Sequence, residues 1–184
     1  RVWPMHLING KDLAKTIRRE VALRVAKLDH VPTLGVLLVG NDPASHLYVS
    51  MKKKAAETAG IKMDIVKIET VVTDTELIKQ IQAWNHRADI DGILVQLPLP
   101  KGHDENAVIA ALDPKKDVDG FHPENMRALL AGQQALIPPV HEGVLRLIAS
   151  TPLTLTGKTA VVIVNSSIFG DPLVHLLKSA GLFV

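Results

Sequence analysis

The sequence contains no cysteine. A disulfide scaffold and a thiolate zinc site are therefore excluded, and a reducing compartment is compatible with the chain. Aromatic residues make up only 3%, with a single tyrosine, Tyr48, which argues against a base-stacking platform for single-stranded nucleic acid. The formal net charge of +2 is too small to point to nucleic acid or a membrane surface as partner. No apolar run approaches the roughly 20 residues of a membrane span, and no secretory signal pattern is visible. The G-x-x-x-x-G-K-[ST] phosphate loop, the G-x-S-x-G elbow and the H-E-x-x-H zinc pair are all missing. The eight histidines are dispersed, so no metal site is expected.

What is present is an ordinary globular composition. Of 184 residues, 47% are hydrophobic and 22% charged, enough for one large domain or one domain with part of another. Apolar periodicity predicts a helix over 7–27. A short apolar run at 33–40 and another at 91–98 have the composition of strands buried on both faces of a parallel sheet. Residues 62–69 alternate as a further strand. Thr73 with Glu76 three residues on predicts a capping box opening a helix that runs to about 87, with Leu77, Ile78, Ile81 and Trp84 inward. Shorter helices are expected at 103–112, 124–131 and 142–150, with an extended stretch at 133–139. Residues 158–164 form the most apolar run and read as a strand. A loop at 165–170, a helix at 171–180 and the start of another strand at 181–184 follow. Strands alternating with helices through short loops indicate right-handed βαβ units, an α/β fold with a parallel sheet.

This pattern divides into an α/β domain at 5–150 and, at 151–184, one β-α-β crossover. A single crossover cannot bury both faces of a sheet, so the second piece reads as the incomplete opening of a Rossmann-like nucleotide-binding domain. In such sheets ligands sit at the carboxyl ends of the strands. The residues after the first strand, Gln96 after the third, and the loop at 113–120 all fall toward that edge.

The stretch at 41–60, NDPASHLYVSMKKKAAETAG, carries the most chemistry. Asp42 and Pro43 form an N-cap and first-turn proline, and Gly60 a left-handed C-terminal cap. Ser45, Tyr48 and Lys52 share one helix face by their spacing, while Leu47, Met51, Ala55 and Thr58 form an adjoining stripe expected to face the core. Taken alone this is an amphipathic surface helix with solvated lysines at 52–54; the alternative is a site presenting a hydroxyl, an aromatic ring and an amine. The loop DPKKDVDG resembles part of a calcium loop, but alignment on Gly120 puts Lys115 and Met126 at ligand positions, and calcium is rejected. It is either an aspartate-rich turn or a carboxylate that grips the N–H edge of a heterocycle. Gln96 is a polar residue in an apolar run, serving either a neighbouring loop or the orientation of another side chain. The segment 164–172, VNSSIFGDP, lies where a pyrophosphate loop would, though it keeps one glycine and is not G-x-G-x-x-G.

Three pieces in order, GNDPASHLYVSMKKKAAETAGI, DGILVQLPLP and DPKKDVDGFHPEN, resemble the bifunctional methylenetetrahydrofolate dehydrogenase/methenyltetrahydrofolate cyclohydrolase family. The resemblance implies two α/β domains with an active-site cleft between them, 5–150 being the folate-binding catalytic one, together with a homodimer, a cytoplasmic location and a place in one-carbon metabolism. It implies hydride transfer from methylene-tetrahydrofolate to NAD or NADP, then hydrolysis of the methenyl ring to formyl-tetrahydrofolate. Carried over by motif position, Lys52 is the catalytic lysine, Tyr48 the ring that stacks on folate, and Gln96 the partner that tunes Lys52. Asp119 holds the pterin edge, and Ser45, Val95 and Leu97 complete the substrate contacts. Asn165, Ser166, Ser167 and Gly170 are the cofactor candidates. There the chain departs from the family pattern: Val164-Asn165-Ser166 replaces glycine-arginine-serine, and Asp171 is added. Loss of arginine and gain of aspartate disfavour a 2′-phosphate, and with it a strong NADP preference. The alternative is a folate-binding or cyclohydrolase-only homologue without dehydrogenase function.

Overall fold

The computed structural model describes residues 7–68, 71–164 and 166–184. Its elements run α1 (Gly10–Val25), β1 (Thr33–Val39), α2 (Pro43–Ala59), β2 (Lys62–Ile68), α3 (Asp74–Asn85), β3 (Gly92–Val95), α4 (Glu105–Ala110), α5 (Pro123–Leu130), α6 (Pro139–Ala149) and α7 (Ser167–Ser179). The chain divides into two compact units. One is Lys15–Val118; the other is Asp119–Val184 together with the residues before 15.

In the first unit the apolar run TLGVLLV becomes β1, the central strand of a three-stranded parallel sheet ordered β2-β1-β3. Val36 pairs with Ile65 on one side and Leu94 on the other. Parallel neighbours need a crossover between them, and α2 and α3 supply those crossovers. Val36, Leu38, Leu94 and Val49 of α2 form a buried cluster, with Leu34, Met63, Ile65 and Val118 packed around it. Burial of each such aliphatic side chain stabilises the fold by roughly 1.5–3 kcal/mol. Beyond β3, Ile93 bridges to Asp117 in parallel register. The aspartate-rich loop is thereby stitched to the sheet: Ile93 N–H donates to Lys116 O, and Val118 N–H to Ile93 O.

The helix ends follow their local chemistry. Asp42 caps α2 by accepting from Ser45 N–H, Pro43 stands at the start, and Gly60 closes it at φ 79°. The left-handed region that this closure requires is open to glycine without a Cβ penalty. Thr73 and Glu76 form the reciprocal capping box of α3, with Leu77, Ile81 and Trp84 buried. Trp84 Nε1–H donates to Asp64, whose carboxylate also accepts from Arg87.

Three expectations are corrected. The stripe of Leu47, Met51, Ala55 and Thr58 does not face the core: Leu47 and Met51 are about 60% exposed. The inward face of α2 is instead Ser45, Val49 and Ala59. A helix crossing a sheet closely buries small side chains, and its bulky ones are left at the flank. Secondly, 158–164 forms no extended strand. Among the described residues that unit shows only an isolated bridge, Thr159 to Phe183, and Val161 and Ile163 are exposed at 82% and 93%. An apolar run becomes a buried strand only where neighbours cover it, and within this unit these two side chains have no such cover. Thirdly, the expected loop at 165–170 is largely helical, because α7 starts at Ser167 with Pro172 inside it. Proline costs one helix hydrogen bond but does not end the helix here.

Candidate active site

The site in the first unit is built where β3 ends and α2 passes over the sheet. Gln96 follows β3 directly; its backbone N–H donates to Leu37 O at 2.9 Å, which extends the ladder by one residue and locks the side chain's origin. Its side chain is buried. On α2, Lys52 lies four, three and four residues along the line Ser45, Val49, Lys52, Ala56. Its stem thus follows the inward stripe, and the side chain is half-buried. The Lys52 ammonium donates to Gln96 Oε1 at 3.1 Å. The other end of the amide is also used: Gln96 Nε2–H donates to Leu97 O at 2.7 Å.

The surroundings differ in character. Tyr48 is one helical turn before Lys52 and 58% exposed, flanked by exposed Leu47 and Met51. An exposed aromatic ring thus stands one turn from the amine on the same helix face. Ser45 is buried, and its N–H donates to Asp42 Oδ2 at 2.7 Å. That bond, with the Ser45 hydroxyl, holds the Asp42 carboxyl below its ordinary range. His46 Nε2–H donates to Gly40 O at 3.0 Å, which pins the turn between β1 and α2. Val95 is buried inside β3, and Leu97 is half-buried at the start of the following connection.

That connection, 97–104, has anchors the sequence did not reveal. The Leu97–Pro98 peptide is cis. Leu99 N–H donates to Glu105 Oε1 at 2.7 Å. Asp74, at the start of α3, accepts from His103 Nδ1–H at 2.5 Å and from Asp104 N–H at 3.0 Å. These donors hold the Asp74 carboxyl below its ordinary range, the Asp104 amide first and His103 next. The legible signal was slight: the sequence showed only a short helix at 103–112.

The second unit carries Asp119, half-buried at the opening of the unit, and the cofactor candidates. Asn165 lies outside the described residues. Ser166 is the N-cap of α7 and makes no side-chain cap bond. Ser167 is exposed in the first turn. Gly170 is buried, and a Cβ there would meet Val164 Cγ2 at 2.7 Å, so a larger residue requires Val164 to shift. The start of α7 thus lies beside a glycine that is close to Val164. Asp171 is exposed in the same turn region. His141 of α6 is buried; it donates from Nε2 to Phe169 O at 2.8 Å and stacks on the Phe169 ring. Among the described residues no group of three or more His, Asp or Glu is placed to hold a metal ion.

The chain is similar to known proteins in both sequence and fold. Residues 8–119 match the family "Tetrahydrofolate dehydrogenase/cyclohydrolase, catalytic domain". The chain is 45% identical over 174 residues to the bifunctional protein FolD of Acidiphilium cryptum, covering 95% of this chain and 62% of that protein. The crystal structure of the bifunctional enzyme FolD, a methylenetetrahydrofolate dehydrogenase/cyclohydrolase from Campylobacter jejuni, superposes with a TM-score of 0.94 at 38% identity, covering 98% of this chain and 65% of that one. The Trypanosoma brucei dehydrogenase-cyclohydrolase, solved with NADP and an inhibitor, matches with a TM-score of 0.91 at 29% identity, covering 97% and 63%. The chain thus spans somewhat less than two thirds of the length of these relatives.

Proposed function

The chain belongs to the tetrahydrofolate dehydrogenase/cyclohydrolase family, and from that premise we propose that it binds folate and takes part in both reactions of the bifunctional enzyme. These are oxidation of methylene-tetrahydrofolate to the methenyl cation and hydrolysis of that cation to formyl-tetrahydrofolate. The observation that carries the proposal is the Lys52–Gln96 hydrogen bond, with Tyr48 open beside it. A half-buried amine can move protons as a neutral base or charged acid. In the hydrolysis it takes a proton from the attacking water and returns one to the departing ring nitrogen. Gln96 accepts from the ammonium and keeps it aimed without adding a charge. The Tyr48 ring stacks on the planar folate and gains about 0.5–2 kcal/mol against the methenyl cation. Asp119 accepts from the N–H edge of the pterin, and Ser45, Val95 and Leu97 complete the contacts.

The nicotinamide of NAD or NADP, when bound, supplies the hydride acceptor. Ser166, Ser167 and Gly170, with Asn165, are the residues we assign to its pyrophosphate, and Asp171 with the missing arginine disfavours a 2′-phosphate. The proposal includes residues 5–150 as the catalytic domain and 151–184 as the start of the nucleotide-binding domain. It also includes a homodimer, a cytoplasmic location, and no nucleic-acid or membrane partner. Among the described residues no helix is long and apolar enough to cross a membrane. The reading as a folate-binding homologue without dehydrogenase function is not favoured, since the relatives are bifunctional enzymes by name.

Loss of methenyl-tetrahydrofolate and reduction of the nicotinamide are to be followed for wild type and Lys52→Met. Wild-type turnover that Lys52→Met abolishes supports the assignment. Turnover left intact by that substitution removes Lys52 from its role.

A further inference from the structure

We propose that Glu105 is a positioning residue for the Lys52–Gln96 pair; its catalytic meaning rests on the folate reading above. A glutamine amide has two ends of nearly equal shape and opposite hydrogen-bonding character. Only one orientation turns an acceptor toward Lys52; the flipped amide would set two donors against each other. What selects the orientation is Leu97 O, which accepts from Gln96 Nε2–H at 2.7 Å. Leu97 lies past the end of β3, and among the described residues no sheet ladder fixes the direction of its carbonyl. The nearest anchor beyond it is two residues on, where buried Leu99 donates its N–H to Glu105 Oε1 at 2.7 Å. A carboxylate accepting a backbone N–H forms a short, charge-assisted bond. Farther along, Asp74 holds His103 and Asp104 and ties the other end of the connection to α3.

The relay therefore runs from the Glu105 carboxylate to the Leu99 amide, through two residues of backbone to the Leu97 carbonyl, then through the Gln96 amide to the Lys52 ammonium. Glu105 touches no reacting atom in this scheme. Its role is to keep the acceptor end of Gln96 facing the amine, which is a matter of geometry rather than charge at the site. This makes a distinct prediction for glutamine at 105: it keeps an acceptor oxygen of the same reach and so preserves the relay, whereas alanine removes it.

The test uses the 184-residue chain, uniformly labelled with nitrogen-15, as wild type, Glu105→Ala and Glu105→Gln. Hydrogen exchange of the Gln96 side-chain amide, kcat and KM for methenyl-tetrahydrofolate hydrolysis, and Tm are read for each. Glu105→Ala is expected to speed Gln96 amide exchange and to lower kcat by roughly ten- to a hundredfold, with KM within about twofold. Glu105→Gln is expected to restore both. Where Glu105→Ala does not fold, Glu105→Asp, which withdraws the carboxylate by one methylene, is read in its place. Unchanged amide exchange in Glu105→Ala overturns the proposal, as does a Glu105→Gln variant that falls as far as Glu105→Ala at equal Tm. The amide readout is independent of turnover. If Lys52→Met keeps full activity, or the wild type hydrolyses nothing, the folate reading fails and exchange at Gln96 alone decides the role of Glu105.

Discussion

Lys52 and Gln96 are 44 residues apart in sequence and meet at 3.1 Å, the ammonium donating to the amide oxygen. The contact joins α2 to the carboxyl end of β3. A neutral acceptor holds the amine without pinning it in the charged form. A carboxylate in its place would favour the ammonium. On the function proposed above, Gln96→Glu is therefore expected to move the rising limb of the hydrolysis pH–rate profile to higher pH by about one unit. Gln96→Leu is expected to lower kcat without that displacement. Rate profiles of both variants check this; a Gln96→Glu profile that coincides with wild type would remove Gln96 from contact with the working amine.

Tyr48 makes the opposite kind of contribution. More than half its side chain is exposed, so the fold gains little from it. Tyr48→Ala is expected to leave stability within about 0.5 kcal/mol and to weaken folate binding by roughly two- to thirtyfold, the equivalent of about 0.5–2 kcal/mol. Titration calorimetry and denaturant unfolding of the same variant separate the two. Equal folate affinity would mean that the ring does not face the ligand.

α2 shows how far the sequence could be read and where it stopped. Its caps, Asp42, Pro43 and Gly60, were legible because each satisfies a local backbone requirement. Its inward face was not. Leu47, Met51, Ala55 and Thr58 suggested a core stripe by their spacing, whereas packing against the sheet selected Ser45, Val49 and Ala59. Val49→Ala should then cost about 2 kcal/mol, and Leu47→Ala at most about 0.5 kcal/mol. Urea midpoints decide; a reversed order would mean that α2 is rotated. The same limit explains 158–164. Its apolar composition was plain, but Val161 and Ile163 stand exposed because strand formation depends on neighbours the local sequence does not contain. The anchors at Glu105 and Asp74 were hidden for a similar reason: each joins positions that come near only once β3, α3 and α4 are assembled.

The Asp74 anchor has an acid limit. Its carboxyl is held below the ordinary range by the Asp104 N–H and by His103. A group whose folded value is depressed contributes stability that is complete above its unfolded value, about 3.9, and is lost as pH falls through the folded value. Asp74→Asn should therefore flatten the acid side of the stability curve below about pH 4. Chemical unfolding across that range is the measurement, and parallel curves for wild type and variant would show that Asp74 does not couple to folding.

His30 works in the reverse sense and on the opposite edge of the sheet. Its ring lies between Asp29 at 3.0 Å and Asp91 at 2.9 Å, and Asp91 also accepts the N–H of Thr33, which opens β1. The paired carboxylates, Asp29 first and Asp91 next, raise the pKa of His30. A raised folded value means that the stabilisation is fully present below the unfolded value, about 6.5, and disappears as pH rises through the folded value. Asp91, lowered chiefly by the Thr33 N–H, keeps its own contribution throughout that window. Wild type should therefore lose some stability between about pH 6 and pH 8, and His30→Gln should not. The ring is more than half exposed, so the loss is small and should shrink further as salt screens the pair. Urea midpoints at both pH values, at low and high ionic strength, provide the check. A wild-type midpoint that holds steady with pH at low salt would show that His30 does not latch the α1–β1 connection to the start of β3.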